Sequence, residues 1–470
     1  MASMQSPKLV HLRDTIFALA TPPGRGAIAV VRLSGEDTRA LLDQVFLPSG
    51  KLNQVESHRA CFGRLVRPGS GEVLDEVIAV FYQSPRSYTG QDMAEISIHG
   101  SPVLEAQLAE ILAQSGARPA QPGEFTFRAF LAGKMDLTQA EAVRDLIEAQ
   151  TDLQARLARD QLLGGTTAAL RPARQALLAL IARLEATVEF SEDDPLEAPP
   201  PPPVRPSLEE IVAQLSRLKA AFLSSAVRRS GAAVVIAGKP NAGKSSIFNR
   251  LVGADRAIVT EEPGTTRDLI SERSEVRGLP VHLYDTAGIR QPSNAIESIG
   301  IEKCSAAIRG ADILVVVIDA SIPWDASDRD LLAESAGKTT IVALNKTDLP
   351  SRKEAGEIGD VIPSHRIVEV SALTGRGMED LSEAIFQALA GPEGQAAPDW
   401  VATFRHRHES CVHAALLALE GCREAAASSL SEEYLLYHLH QALEQLDRIT
   451  GASTGDDLLD TIFSTFCIGK

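Results

Sequence analysis

Ala233-Val-Val-Ile-Ala237 runs straight into Gly238-Lys-Pro-Asn-Ala-Gly-Lys244-Ser245, and this junction decides the fold. The first five residues are small or β-branched and uncharged, the pattern of a short buried strand. The next eight fit GxxxxGK[ST], a loop whose glycines let backbone N–H groups wrap phosphates. A helical pattern follows from Ser246 to Leu251, so the positive end of a helix dipole adds to the same place. Lys244 is placed to reach the β- and γ-phosphates. The Ser245 hydroxyl is placed to ligate Mg2+, a hard ion satisfied by oxygen. The octet alone arises by chance too readily to define a function; the strand before it and the helix after it raise its weight.

Toward the C-terminus, further pieces of a guanine-nucleotide site follow in order. Gly264-Thr265-Thr266-Arg267-Asp268 supplies a threonine able to complete Mg2+ coordination and sense the γ-phosphate. Val281 to Tyr284 reads as a strand leading into Asp285-Thr286-Ala287-Gly288. There the Asp285 carboxylate can bind Mg2+ through water, and the Gly288 N–H can meet the γ-phosphate. Ile313 to Ile318 is another buried strand. Ile341 to Leu344 leads into Asn345-Lys346-Thr347-Asp348. Asp348 can accept from guanine N1–H and the exocyclic amine, a donor pair that adenine lacks. Ser371-Ala372-Leu373 follows the last strand and is placed to contact the base. Taken singly, 285–288 could be a plain turn and 345–348 a helix cap. Five motifs in this order and spacing make coincidence untenable. No obvious arginine finger is present; Arg267 is either a candidate or a structural residue. A monovalent cation held by Asn241 and switch carbonyls would supply the same positive charge.

The 470 residues exceed what one core serves and suggest about three units. Hydrophobic residues make up 44% and charged ones 23%, ordinary for a soluble globular chain. Aromatics are only 4% while Ala and Leu abound, so long Leu/Ala-cored helices are expected. No apolar run of about 18 residues predicts a membrane span. Met1 to Arg13 lacks the apolar core of a signal peptide, so the expected compartment is the cytoplasm. The five cysteines, Cys61, Cys304, Cys411, Cys422 and Cys467, are scattered without a CxxC, which argues against a disulfide framework and a structural zinc site. A formal net charge of −16 votes against general nucleic-acid affinity, so any RNA contact must use a local basic patch or a partner.

Three regimes divide the chain. Up to Gly133, β-rich runs such as Ala27 to Leu33 and Val77 to Tyr82 alternate with glycine-marked turns, the pattern of an α+β domain. From Asp136 to Arg229 the pattern is helical, with Leu146, Leu153, Leu157, Leu177, Leu178, Ile181 and Leu184 at helical spacings. It breaks at Pro195 and Pro199 to Pro203, a stiff loop, and resumes from Ser207. Gly231 to Ala390 alternates strands and helices. After the break from Gly391 to Pro398 the helical pattern returns, with Leu436, Leu439, Leu443 and Leu446 on one face. The expected architecture is multidomain: an N-terminal α+β domain (1–133), an all-α domain in two parts (134–230 and 391–470), and an inserted P-loop α/β domain (231–390).

The motifs beyond the nucleotide site are more specific still. Asp14-Thr-Ile, Thr21-Pro-Pro-Gly-Arg-Gly26, Arg32-Leu-Ser-Gly35, Ser87-Tyr-Thr-Gly90, Pro122-Gly-Glu-Phe-Thr126, Lys134-Met-Asp-Leu137, Gln139-Ala-Glu-Ala142 and the terminal Cys467-Ile-Gly-Lys470 together make the chain resemble the MnmE (TrmE) family of tRNA-modification GTPases over nearly its whole length. The resemblance implies an enzyme that works with the FAD-dependent partner MnmG, in a heterotetramer or larger complex, on carbon 5 of the wobble uridine of certain tRNAs. An aminomethyl or carboxymethylaminomethyl group is added, using a one-carbon unit from 5-formyl- or methylene-tetrahydrofolate. It also implies a homodimer formed by a folate-binding N-terminal domain, and K+-dependent GTPase domains that dimerise and rearrange.

Carried residue by residue, the resemblance places GTP against Asn241, Ala242, Gly243, Lys244, Ser245, Ser246, Thr260, Glu261, Glu262, Pro263, Gly264, Thr265, Thr266, Asp285, Thr286, Ala287, Gly288, Asn345, Lys346, Thr347, Asp348, Ser371, Ala372 and Leu373. Mg2+ falls to Ser245 and Thr266, and K+ to Asn241, Thr260, Glu262 and Thr265. Glu297 matches a glutamate that orients the attacking water; unaided, it reads as a solvated helix residue. Arg32, Glu95, Lys134 and Lys470 match folate contacts. A carboxylate can read the pterin edge and cations can pair with the glutamate tail, although each alone reads as a surface salt bridge. Cys467 is either a small buried hydrophobe or a thiol acting near the folate. His406, His408, Cys411 and His413 invite a metal reading, but His406 and His408 point apart on a helix and Arg405 and Arg407 repel cations. A solvated basic face open to tRNA or MnmG is expected there. The proline run and residues 1–12 depart from the family pattern without touching a motif.

Overall fold

A computed structural model describes residues 13–49, 55–193, 204–254, 270–285, 310–335, 338–350, 366–390, 405–428 and 430–469. The proline run, 260–269, 286–297, Gly391 to Pro398 and Lys470 lie outside the described residues. The chain divides into two compact units.

The first unit comprises residues 1–144, 162–167 and 440–470. Its seven strands are β1 (Ile16–Leu19), β2 (Ile28–Ser34), β3 (Phe46–Pro48), β4 (Ala60–Val66), β5 (Val73–Tyr82), β6 (Met93–His99) and β7 (Arg118–Pro119). They form one sheet in the order β3-β4-β5-β6-β2-β1-β7. Strand alternation sends Val31, Leu33, Ala79, Ile96 and Ile98 to one face. There they meet Leu41, Leu42 and Val45 of α1 (Thr38–Val45) and Leu108, Ile111 and Leu112 of α2 (Pro102–Gln114). Each such buried aliphatic contributes about 1.5–3 kcal/mol. The opposite face carries Arg32 and Glu95, which the antiparallel register sets side by side.

Helix α3 (Glu124–Leu131) is pinned to the sheet by charge. Arg128, only 2% exposed, donates to Asp14 at 2.6 Å and to Glu124 at 2.9 Å. Arg118 donates to the same two carboxylates, each at 2.6 Å. Burial pushes the Asp14 and Glu124 carboxyls up, but the bonds from the two guanidiniums outweigh it and hold both below their ordinary values. Helix α4 (Leu137–Glu148) and α13 (Asp456–Phe463) complete the unit through Leu137, Ala140, Leu459, Phe463 and Phe466.

The second unit comprises residues 145–161 and 168–439. It holds α5 (Asp152–Leu162) up to residue 161, α6 (Gly165–Asp193) from residue 168, and α7 (Val204–Ser230). A sheet follows, built from β8 (Ala232–Gly238), β9 (Ile270–Val276), β10 (Leu279–Asp285), β11 (Ile313–Asp319), β12 (Thr340–Asn345) and β13 (Ile367–Glu369). The strand order is β13-β12-β11-β8-β10-β9, parallel except for the β9–β10 pair. Parallel strands buried on both faces read as continuous apolar runs. Accordingly Val234, Val315 and Ile341 face α8 (Lys244–Ala254) and α10 (Met378–Ala390), while Val235, Val316 and Val342 face α9 (Ala326–Glu334). Helix α11 (His406–Ala427) packs on α7, so the helical segments before and after this sheet meet each other. The α/β part is therefore inserted within a helical one.

Two expectations change. In α12 (Glu432–Thr450) the buried stripe is Leu435, Leu439, Ala442, Leu446 and Ile449. Leu436 and Leu443 sit at its margin, because β-branched Ile449 and small Ala442 complete the face instead. Leu146 and Leu178 lie in α4 and α6, as their helical spacing implies, on the exposed side. The start of α11 is a solvated basic face only in part: His406 and His413 are exposed, but His408 is fully buried, its Nδ1 accepting from the Arg405 backbone N–H at 3.2 Å, and the Arg405 guanidinium pairs with Asp145. A helix's first N–H groups need partners, and a side chain folded back from the first turn supplies one.

Candidate functional site

The nucleotide-site residues gather at the carboxyl edge of the second sheet because the strands are parallel and in register. Asp319 stands beside Asn345 in the β11–β12 pair, and Asp285 beside Ile236 in the β10–β8 pair. Gly238 ends β8, and Lys244 opens α8. Between them Asn241 has φ +61° and Gly243 φ +97°. A Cβ at Gly243 would lie 2.1 Å from Asn345 Nδ2, so the close approach as well as the backbone requires glycine.

The polar groups of the site hold one another through a set of hydrogen bonds. Lys244, 7% exposed, donates from Nζ to the Lys239 carbonyl at 2.8 Å. Ser245 donates to the buried Asp285 carboxylate at 2.7 Å. These two oxygen groups at a helix N-terminus suit a hard divalent cation. Asn345 donates to Ala242 O at 2.8 Å and accepts from the Ala372 N–H at 2.9 Å, tying the phosphate loop to the base loop. Ser371 donates to Asp348 at 2.6 Å and so aims the exposed carboxylate. Lys346, at φ +68°, donates to Asp319 at 2.6 Å. Burial would raise the Asp319 carboxyl, but its bonds from Lys346 and Ser321 hold it low.

Of the sequence-assigned residues, 241–246, Asp285, 345–348 and 371–373 converge here. Residues 260–266, 286–288 and Glu297 lie outside the described residues. Sequence reading missed Asp319 and Lys239. Lys239 is gripped by Asp325 and, at 2.8 Å, by the buried Asp328. Strand order could have exposed Asp319, since it ends the strand next to Asn345.

In the first unit, Arg32 donates to Glu95 Oε1 from Nε at 3.0 Å and from Nη2 at 2.7 Å. Tyr82 holds the other carboxylate oxygen at 3.2 Å. The guanidinium lies 5.8 Å from each of the Tyr88 and Phe125 ring centres, and its Nη1 donates to Gly469 O at 3.3 Å. A Cβ at Gly469 would fall 2.3 Å from Leu19 O, so the C-terminal segment lies tight against β1. Lys134 donates to Pro85 O at 2.7 Å. Cys467 is exposed, and its carbonyl accepts from Gly123 N–H at 3.4 Å. Burial pushes the Tyr82 and Tyr88 hydroxyls up, the former with help from Glu95. A carboxylate and a cation on one sheet face, with the rings of Tyr88 and Phe125 beside the cation, suit a flat, polar-edged heterocycle with an anionic tail.

Taken together, a mostly parallel sheet with a glycine loop, a Ser245–Asp285 pair and an Asn-Lys-Thr-Asp edge define a P-loop GTPase. The family profile described as MnmE helical domain matches residues 137–467, and that described as GTP-binding protein TrmE N-terminus matches 15–134. The tRNA modification GTPase MnmE of Koribacter versatilis is 46% identical, over 98% of this chain and 100% of its own. Those of Lactiplantibacillus plantarum and Thermotoga petrophila are 38% and 39% identical, each over 97% of this chain and over 98% and 100% of their own. The chain belongs to the MnmE family of tRNA modification GTPases.

Proposed function

We propose that this enzyme hydrolyses GTP to drive modification of the wobble uridine of certain tRNAs at carbon 5, together with an FAD-dependent partner of the MnmG type. The observation that carries the reading is the coexistence, in one family-matched chain, of the nucleotide edge and the Arg32–Glu95–Tyr82 face.

In this reading water attacks the γ-phosphorus and the bond to the bridging oxygen breaks, leaving GDP and phosphate. Lys244 exchanges the Lys239 carbonyl for β- and γ-phosphate oxygens. Asp348, aimed by Ser371, accepts from guanine N1–H and the amine. Ser245 and Thr266 would hold Mg2+, with Asp285 behind it. Asn241, exposed at the crown of the loop, offers an oxygen suited to K+, with Thr260, Glu262 and Thr265 as its companions. Bound there, the two cations supply positive charge against that developing on the phosphates. Glu297 orients the water.

Arg32, Glu95, Lys134 and Lys470 would hold a tetrahydrofolate derivative, which supplies the one-carbon unit; Cys467 is assigned to that end of the chemistry. GTP occupancy holds the switch segments and hydrolysis releases them, which shifts the G domains between dimerised and separated arrangements. The working form is a cytoplasmic homodimer joined through the N-terminal domain, divided as 1–133, 134–230, 231–390 and 391–470.

Mass spectrometry of tRNA nucleosides from a deletion strain tests the reading. Loss of the C5-modified wobble uridine, restored by the wild-type gene and not by Asp285→Ala, is expected. Unchanged nucleosides would point instead to a GTPase that binds RNA without modifying it.

A further inference from the structure

We propose that Arg250 is a positioning residue for guanine recognition. It sits on α8, the helix that begins with the P-loop lysine, and among the described residues its hydrogen bonds go to none assigned to phosphate or metal. Its guanidinium reaches across to the base loop instead. Nε donates to the Ala372 carbonyl, and Nη2 donates to the Leu373 carbonyl at 2.5 Å. The planar fork of arginine suits two neighbouring acceptors in this way, whereas the point charge of lysine does not.

The consequence lies in the peptide between Ala372 and Leu373. In a trans peptide the C=O and N–H point opposite ways. Holding the Ala372 carbonyl toward α8 turns the Leu373 N–H away from it. The Ala372 N–H is fixed separately, on Asn345 Oδ1 at 2.9 Å, and the Thr374 N–H on Ser371 Oγ at 3.1 Å. That leaves the Leu373 N–H on the side of the loop away from α8, and the proposal assigns this donor to the base. Guanine carries an acceptor, O6, where adenine carries an amine. If the peptide turned over, the loop would present a carbonyl, the group an adenine amine prefers.

The same contacts close a ring. Ala242 of the phosphate loop accepts from Asn345, Asn345 accepts from Ala372, Ala372 accepts from Arg250, and α8 leads from Arg250 back to Lys244. Phosphate and base halves are thus braced against each other by one side chain from each direction. Asp348 reads the N1–H and amine; Arg250 acts on the reading of O6.

This inference rests on the guanine site proposed above. The test uses the full-length protein and equilibrium affinities for GDP, IDP and ADP. IDP keeps O6 and lacks the amine, so it separates the two readings. Arg250→Met is expected to weaken GDP and IDP by the same factor, about tenfold, the worth of one hydrogen bond between neutral groups. ADP affinity stays as it was, so the preference for guanine over adenine falls about tenfold, and Arg250→Lys recovers part of it. Hydrogen exchange of the nucleotide-free variant is expected to speed up at 371–377 and to stay unchanged in β8 and β11. Equal losses for GDP, IDP and ADP, or no loss for GDP, overturn the assignment. Wild-type protein that binds ADP as well as GDP sinks the guanine site itself, a separate result.

Discussion

At the scale of single residues, the nucleotide site depends on a few backbone geometries that leave no room for a side chain. Gly243 combines φ +97° with the 2.1 Å approach to Asn345. Gly243→Ala is expected to weaken GDP binding at least tenfold, with a stability loss of about 1–3 kcal/mol from the strained backbone; calorimetric titration and thermal unfolding read the two. The Lys244 and Ser245 contacts carry a related lesson. Both side chains were legible from the octet, because their roles follow from residue type and position alone. Lys239 and Arg250 were not, since their partners lie more than 80 and 120 positions away and only the folded strand order brings them close. His408 was misread for a different reason: its partner Arg405 is only three residues away, but nothing in the local sequence signals that the ring turns inward to accept from it.

Among the elements, α3 and the strands behave differently. The parallel strands of the second sheet were readable as apolar runs since both faces are covered. In the first sheet β2 and part of β5 were read from their apolar runs, while β4 and β6, as long as β2, carry Gly63 and Arg64 or Glu95 and Ser97 among their apolar residues and were not. Its short members β3 and β7, and the register that sets Arg32 beside Glu95 from 63 positions away, leave no local signature. Helix α3 is held by Arg118 and Arg128 against Asp14 and Glu124. Arg128→Met leaves two half-buried carboxylates short of their partner and is expected to cost about 3 kcal/mol, measured by denaturant unfolding. The pH dependence has a definite sign. Both carboxyls titrate lower folded than unfolded, where they sit near 3.8 and 4.5. Their contribution is therefore full above about pH 4.5 and is lost as pH falls through the depressed folded values. Wild type is expected to lose stability from pH 5 to 3 more steeply than Glu124→Gln, monitored by tryptophan-independent far-UV dichroism.

For the molecule as a whole, a ligand that binds only the native state stabilises it by mass action. GDP at about a hundredfold its Kd is expected to add about 2.7 kcal/mol to the unfolding of the second unit, while the first unit's transition stays where it was; 5-formyltetrahydrofolate is expected to do the reverse. Differential scanning calorimetry with each ligand separately would distinguish the two. Among the described residues no helix is long and apolar enough to cross a membrane. The most direct measurement is phosphate release from GTP and from ATP by the full-length protein, with Mg2+ present and with KCl or NaCl. GTP should be hydrolysed and ATP left intact, faster in KCl, with Asn241→Ala erasing the difference between the salts. Release from ATP at the rate seen with GTP would contradict the convergence of Lys244, Ser245, Asp285 and Asp348 on a guanine nucleotide.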